Sequence, residues 1–127
     1  ITTLDALLAQ YPPVLPVAAT KATDRIGPVT AAFIAASPFC LLGTQGSRGV
    51  HVTPRGDAPG FVTVADEKTL LLPDRRGNNR LDGLRDLMED PRCSLLFLIP
   101  GVAETLRVHG RARITTDPAL RVRFAVD

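Results

Sequence analysis

The sequence contains no tryptophan, one tyrosine, one methionine and two cysteines. Five phenylalanines are the only other aromatics, so a core has to be packed from Leu, Val, Ile and Ala. Basic residues without interleaved aromatic side chains are poorly suited to stacking on bases, so no nucleic-acid partner is expected. Cys40 and Cys93 lie far apart, each in an apolar run. They make neither a disulfide framework nor a zinc site and read as small buried hydrophobes, with a reducing cytoplasm as the default compartment. His51 and His109 have no ligand-type neighbours at metal spacing, so no metal site is assigned. No apolar run approaches the roughly 18 residues that span a bilayer, so no membrane partner is expected. No signal peptide is visible, although a start at Ile1 leaves room for an upstream segment. Walker, G-x-G-x-x-G and G-x-S-x-G patterns are missing, and no serine or cysteine has a partnered base. Chemistry, if present, falls to a bound cofactor.

Lysine is scarce as well. Of the 15 basic residues 13 are arginine, which suits oxyanion recognition but equally fits a genome rich in G and C. The net charge of +2 is modest. With 127 residues, 45% hydrophobic and 22% charged, the chain is sized and composed as one soluble globular domain.

Punctuation by proline and glycine divides it. Residues 2–10 place leucines 4, 7 and 8 at helical spacing behind a threonine cap, and Pro12, Pro13 and Pro16 then force an extended connection. A second helix is predicted from Pro28 to about Ala36, with Val29, Ala32, Phe33 and Ala36 as its apolar face. Strands are predicted for residues 39–44 and 50–55 around a turn at 45–49, and for 60–65 and 69–72 around another. Pro54 cannot donate to a ladder, so its strand lies at an edge or ends there. Leu81, Leu84, Leu87 and Met88 mark an amphipathic helix over residues 79–90. Residues 94–99 read as a fully buried strand. Residues 104–115 alternate, with Leu106, Val108, Ala112 and Ile114 opposed to Thr105, Arg107, His109, Arg111 and Arg113, and a bulge at Gly110. Residues 117–127 begin like a capped helix and stop in mid-pattern. About six short strands with one inserted helix suggest a small antiparallel barrel.

Two basic elements stand out. Pro73-Asp74-Arg75-Arg76-Gly77-Asn78-Asn79-Arg80 precedes the amphipathic helix, where unpaired N–H groups and the helix dipole favour an anion. Arg75 and Arg80 are the candidate phosphate ligands, with Asn79 as a donor or cap; the alternative is a solvated loop with an ordinary helix start. Upstream, Val52-Thr53-Pro54-Arg55 ends a strand whose open edge offers backbone groups to a planar heterocycle. Asp57 either orients Arg55 or closes the turn, and an Arg55–Asp57 pair of purely structural purpose is the alternative.

Taken in order, Ser37-Pro38-Phe39, residues 53–62, residues 73–82, Leu95-Leu96-Phe97-Leu98-Ile99-Pro100-Gly101 and Glu104-Thr105-Leu106-Arg107-Val108 resemble the pyridoxamine 5′-phosphate oxidase-related proteins with the FMN-binding split-barrel fold. The likeness is greatest to a bacterial flavin-nucleotide-binding branch and runs from about Ser37 to Ile114. It implies a mainly β chain with flanking helices, a split β-barrel of FMN-binding type. One domain spans residues 1–127, with a helical extension over about 1–37 and a barrel core over about 38–115. The barrel is expected to be incomplete at the C-terminus. The resemblance further implies a homodimer with FMN in a cleft between subunits. Val52, Thr53, Pro54 and Arg55 would run beside the ring and phosphate, and Pro73, Asp74, Arg75, Asn79 and Arg80 would form the phosphate loop. Thr105 stands where the oxidases place a flavin-contacting glutamine from the partner subunit. The arginine and histidine residues that those enzymes use for pyridoxamine phosphate have no match here, so the likeness implies FMN and not that substrate. An FMN-dependent oxidoreductase acting on a small molecule or a nicotinamide donor is the leading expectation. A flavin-sequestering protein and a cofactor-free dimeric interaction module are the alternatives.

Overall fold

The computed structural model describes residues 1–11, 23–74 and 81–119. Among these, three helices and six strands follow one another: α1 (Leu4–Leu8), α2 (Pro28–Ala36), β1 (Phe39–Gly46), β2 (Gly49–Gly56), β3 (Thr63–Asp66), β4 (Thr69–Leu71), α3 (Asp82–Glu89), β5 (Arg92–Leu98) and β6 (Thr105–Arg111). The chain is mainly β. Four strands form an antiparallel sheet in the order β2-β1-β5-β6, and β3 and β4 form a separate two-stranded ribbon. This arrangement accords with the expected split-barrel class.

Register fixes what shares a face. Cys40, Leu42 and Thr44 on β1 stand opposite Arg55, Thr53 and His51 on β2. Cys40 and Leu42 also stand opposite Phe97 and Leu95 on β5, which in turn face Leu106 and Val108 on β6. Side chains alternate along a strand, so all of these point to one inner face. Ile34 of α2 and Val62 before β3 close over it, completing a core of Ile34, Cys40, Leu42, Val62, Leu95 and Phe97. The opposite, outer face carries Leu41, Val50, Val52, Pro54, Leu96, Thr105, Arg107 and His109.

Local chemistry explains the joints. The β1–β2 hairpin turns at Ser47-Arg48 and closes on Gly49, whose φ of 117° a side chain would resist. Gly60, at φ 83°, brings its loop so close to α2 that a Cβ would lie 3.1 Å from the Ala35 carbonyl oxygen. Thr3 caps α1 by accepting from the Ala6 N–H, as its sequence predicts. Pro54 does lie on an edge strand.

Four expectations need correction. Helix α2 buries Ile34 while Val29 stays exposed; its residues are nearly all apolar, so spacing could not select the face. Helix α3 buries Gly83 and Asp86 and leaves Leu81 and Met88 exposed, because the sheet beneath it is polar at Thr44, His51 and Thr53. Strand β5 alternates and is not buried throughout: Leu95 and Phe97 are inside, Leu96 and Leu98 are half-covered on the outer face. Gly110 pairs with Cys93 in an unbroken ladder, so β6 has no bulge there, and the strand ends at Arg111 before Ala112 and Ile114. The proline-rich connection at Pro12, Pro13 and Pro16 falls outside the described residues.

Candidate functional site

The inner face of β2 presents His51, Thr53 and Arg55 in a row, one every second residue. Each meets a different element. At the far end Arg55 pairs with the carboxylate of Asp74, just past β4. Asp57 accepts from the N–H of Ala58 in the turn after β2. The ion pair of Arg55 with Asp74 joins residues 19 positions apart, a pairing that sequence reasoning did not make.

At the near end His51 meets helix α3. Its Nδ1 lies 2.6 Å from Asp86 Oδ2, and Thr44 Oγ1 donates to the same oxygen at 2.8 Å. Asp86 is 2% exposed. The His51 hydrogen bond, with help from Thr44, holds its carboxyl below the usual carboxylate range against the opposing effect of burial. An ionised carboxylate only accepts, so His51 Nδ1 carries the proton. Nothing in the sequence pattern singled out Asp86, which reads as a solvent-facing position of a leucine-striped helix.

The hairpin tip is tied to both ends of α3. Ser47 donates to Glu89 through both its backbone N–H, at 2.6 Å, and its hydroxyl, at 3.0 Å. Those bonds lower the Glu89 carboxyl as well. Gln45 donates to Asp90, and Arg48 pairs with Asp82 in the first turn. Carboxyls depressed in the folded state contribute stability above their unfolded values, near pH 4, and lose it as pH falls through the folded ones. The urea midpoint should therefore hold steady from pH 7 to 5 and fall below about pH 4. In Asp86→Asn that acid limb should be shallower; an unchanged limb would show that Asp86 titrates alike in both states.

Between the two anchored ends sits Thr53, whose hydroxyl oxygen is buried and has no hydrogen-bond partner. A Cβ on Gly83 would lie 3.8 Å from it, so the hydroxyl faces the first turn of α3. An unpaired buried hydroxyl is a cost that an isostere without it avoids. Thr53→Val should stabilise the ligand-free protein by about 1 kcal/mol in urea denaturation; a loss of stability would mean that the hydroxyl is satisfied in solution.

The candidate residues therefore do not form one cluster. Thr53 and Arg55 belong to the inner face with Asp74 close by, and Pro73 immediately precedes that anchor. Val52, 65% exposed, and Pro54 belong to the outer face. Thr105 also lies on the outer face, but on β6, at the opposite edge of the sheet. Three strand spacings separate it from β2, about 14 Å. Arg75, Asn79 and Arg80 lie outside the described residues.

The chemistry of this donor set suits a ligand with an anionic end and a flat apolar end. Arg55 supplies a fork of donors, and Leu81 at the start of α3 offers no side-chain acceptor to the first-turn N–H groups. Val52 and Pro54 supply exposed apolar surface on the other side of the same strand. Both cysteines are unsuited to nucleophilic work: burial pushes the Cys40 thiol up to about 11 and raises that of Cys93. No described helix is long and apolar enough to cross a membrane.

Residues 26–127 match the family model described as Pyridoxamine 5′-phosphate oxidase. No curated protein and no solved structure matches the chain.

Proposed function

The chain belongs to the pyridoxamine 5′-phosphate oxidase family, and from that premise we propose that it binds FMN between two copies of itself and serves as an FMN-dependent oxidoreductase. The observation that carries this reading is the division of the candidate residues. Val52, Pro54 and Thr105 share the outer face, yet Thr105 stands at the far edge from β2. One chain cannot close that gap around a ring beside β2. A second copy laid on the outer face brings its own Thr105 within reach. Leu41, Val50, Val52 and Leu96 give that face the apolar centre such a contact needs, rimmed by Arg107 and His109.

Within the site, Arg55 and the basic residues Arg75 and Arg80 would hold the phosphate, with Asn79 as a donor and Pro73 and Asp74 leading into the loop. Backbone groups of residues 52–55 would border the ring. Bound FMN supplies two-electron redox chemistry at its ring. The protein's part is to bind, orient and shield it. The whole chain acts as one domain, its first 37 or so residues an extension on the barrel core.

Light scattering of the purified protein with absorbance recorded in the flavin bands, before and after adding FMN, tests this directly. The expected result is a dimer that carries the yellow colour, bleached by NADH or NADPH and restored by air. A colourless monomer that stays colourless with added FMN would overturn the reading. A yellow dimer inert to both nicotinamides would leave flavin holding, without turnover, as the function.

A further inference from the structure

We propose that two copies of the chain exchange their N-terminal helices, the leucine stripe of α1 in each copy packing on the exposed apolar stripe of α3 in the other. This rests on the two-copy reading above, to which it adds a contact away from the outer face. Helix α3 is turned inside out. At 3.6 residues per turn, Asp82, Gly83, Asp86 and Glu89 share one side, and Leu84 and Met88, with the cap residue Leu81, share the opposite one. The polar side faces the sheet: Asp86 bonds His51 and Thr44, Glu89 bonds Ser47, and Asp82 pairs with Arg48. The apolar side is left pointing away from the sheet. Met88 is 78% and Leu81 50% exposed, and neither they nor Leu84 pack on the core. An amphipathic helix ordinarily does the reverse.

Helix α1 has the matching deficit. Leu4, Leu7 and Leu8 hold the i, i+3, i+4 spacing of one face, yet no residue of the helix is buried. Five residues are far too few to sustain a helix in water alone; short helices persist by packing an apolar face. The chain therefore carries two apolar stripes of three side chains each, and neither covers the other within one copy. Charge selects how they pair. Asp5 borders the stripe of α1 and Arg85 that of α3; both are exposed, and among the described residues neither has an ion-pair partner. Pairing α1 with α1 would set Asp5 against Asp5, and pairing α3 with α3 would set Arg85 against Arg85. Only α1 on α3 brings opposite charges together. A two-fold axis makes the exchange reciprocal, so each copy gives one helix and receives one.

The test is oxidative cross-linking of mixed full-length copies. One carries Met88→Cys, and the other carries Leu4→Cys or Leu8→Cys with a mass tag; wild type, with its own Cys40 and Cys93, is the control. The expected product is a linked pair containing one copy of each kind, from at least one of the two leucine positions. Met88→Glu should raise the dimer dissociation constant at least tenfold in analytical ultracentrifugation. Asp5→Arg and Arg85→Asp should each raise it about threefold, and the two combined should restore it. A wild-type dimer that gives no mixed cross-link, with Met88→Glu dimerising normally, would overturn the exchange and leave the outer-face dimer standing. Cross-links formed only within single chains of the double variant Leu8→Cys/Met88→Cys would overturn it too, because α1 would then fold back on its own α3. A wild type that stays monomeric would overturn the two-copy reading and the exchange with it.

Discussion

Replacing Gly46 by alanine should destabilise the protein by roughly 1–3 kcal/mol, the usual cost of forcing extra atoms into a packed site. Gly46 ends β1 directly beneath α3. The new methyl would lie 2.6 Å from Asp86 Oδ1, 2.9 Å from Glu89 Oε2 and 3.3 Å from the Asp86 Cα. A flexible, exposed side chain would simply swing away. Asp86 cannot, because His51 and Thr44 both hold it and it is buried. Relieving the overlap therefore means lifting the helix, which also loosens the bonds from Ser47 to Glu89. Urea denaturation of Gly46→Ala beside Gly83→Ala is the informative pair, since a Cβ on Gly83 meets its neighbours only at ordinary contact distances of 3.8 Å or more. Gly83→Ala should be neutral or stabilising by up to about 1 kcal/mol through helix propensity. Equal effects from the two would mean that α3 does not sit as close to β1 as described.

The second large effect is on ligand affinity. Arg55→Ala should weaken FMN binding by about 1.5–3 kcal/mol, the range for a charge-assisted hydrogen bond to an anion. Asp74 makes this prediction sharper than it would be from the sequence alone. The Arg55 guanidinium is paired with the Asp74 carboxylate, so a phosphate has to compete with that carboxylate for it. Removing the competitor in Asp74→Ala should leave FMN affinity unchanged or improve it. If Arg55 serves only to tether Asp74, both variants should weaken FMN alike. Isothermal titration of the two variants with FMN decides between these outcomes.

The elements themselves were largely legible, because proline and glycine punctuate them. Pro28 opens α2, and Gly46 and Gly49 bracket the first hairpin. The alternation of Leu106 and Val108 with Thr105 and Arg107 gave β6 its two faces correctly. What could not be read was which face mattered where hydrophobicity does not discriminate. Helix α2 is apolar nearly all round, and β5 carries leucines on both sides. Helix α3 was hidden for the opposite reason. Its leucine stripe suggested an apolar seam, whereas it lies on Thr44, His51 and Thr53 and answers the first two with Asp86. Long-range polar pairing of this kind, over 35 residues for His51 and Asp86, leaves no local pattern. The Arg55–Asp74 pair escaped for the same reason. Of the proposed phosphate loop the described residues include Pro73 and Asp74, so Arg75, Asn79 and Arg80 still rest on sequence and on family membership.

Pro54 on the edge strand β2 has a bearing on how copies of the chain can meet. An open strand edge is a row of backbone donors and acceptors, ready to be extended by the strand of another molecule. Proline deletes a donor from that row and brings its ring in place of the hydrogen. On the far side of the sheet, β6 meets solvent with Arg107 and Arg111, whose like charges oppose a second β6 laid against the first. Both margins thus discourage growth by strand addition, the route that leads to fibres and open-ended sheets. The dimer proposed above would use neither margin but the flat of the outer face, an association that closes after two copies.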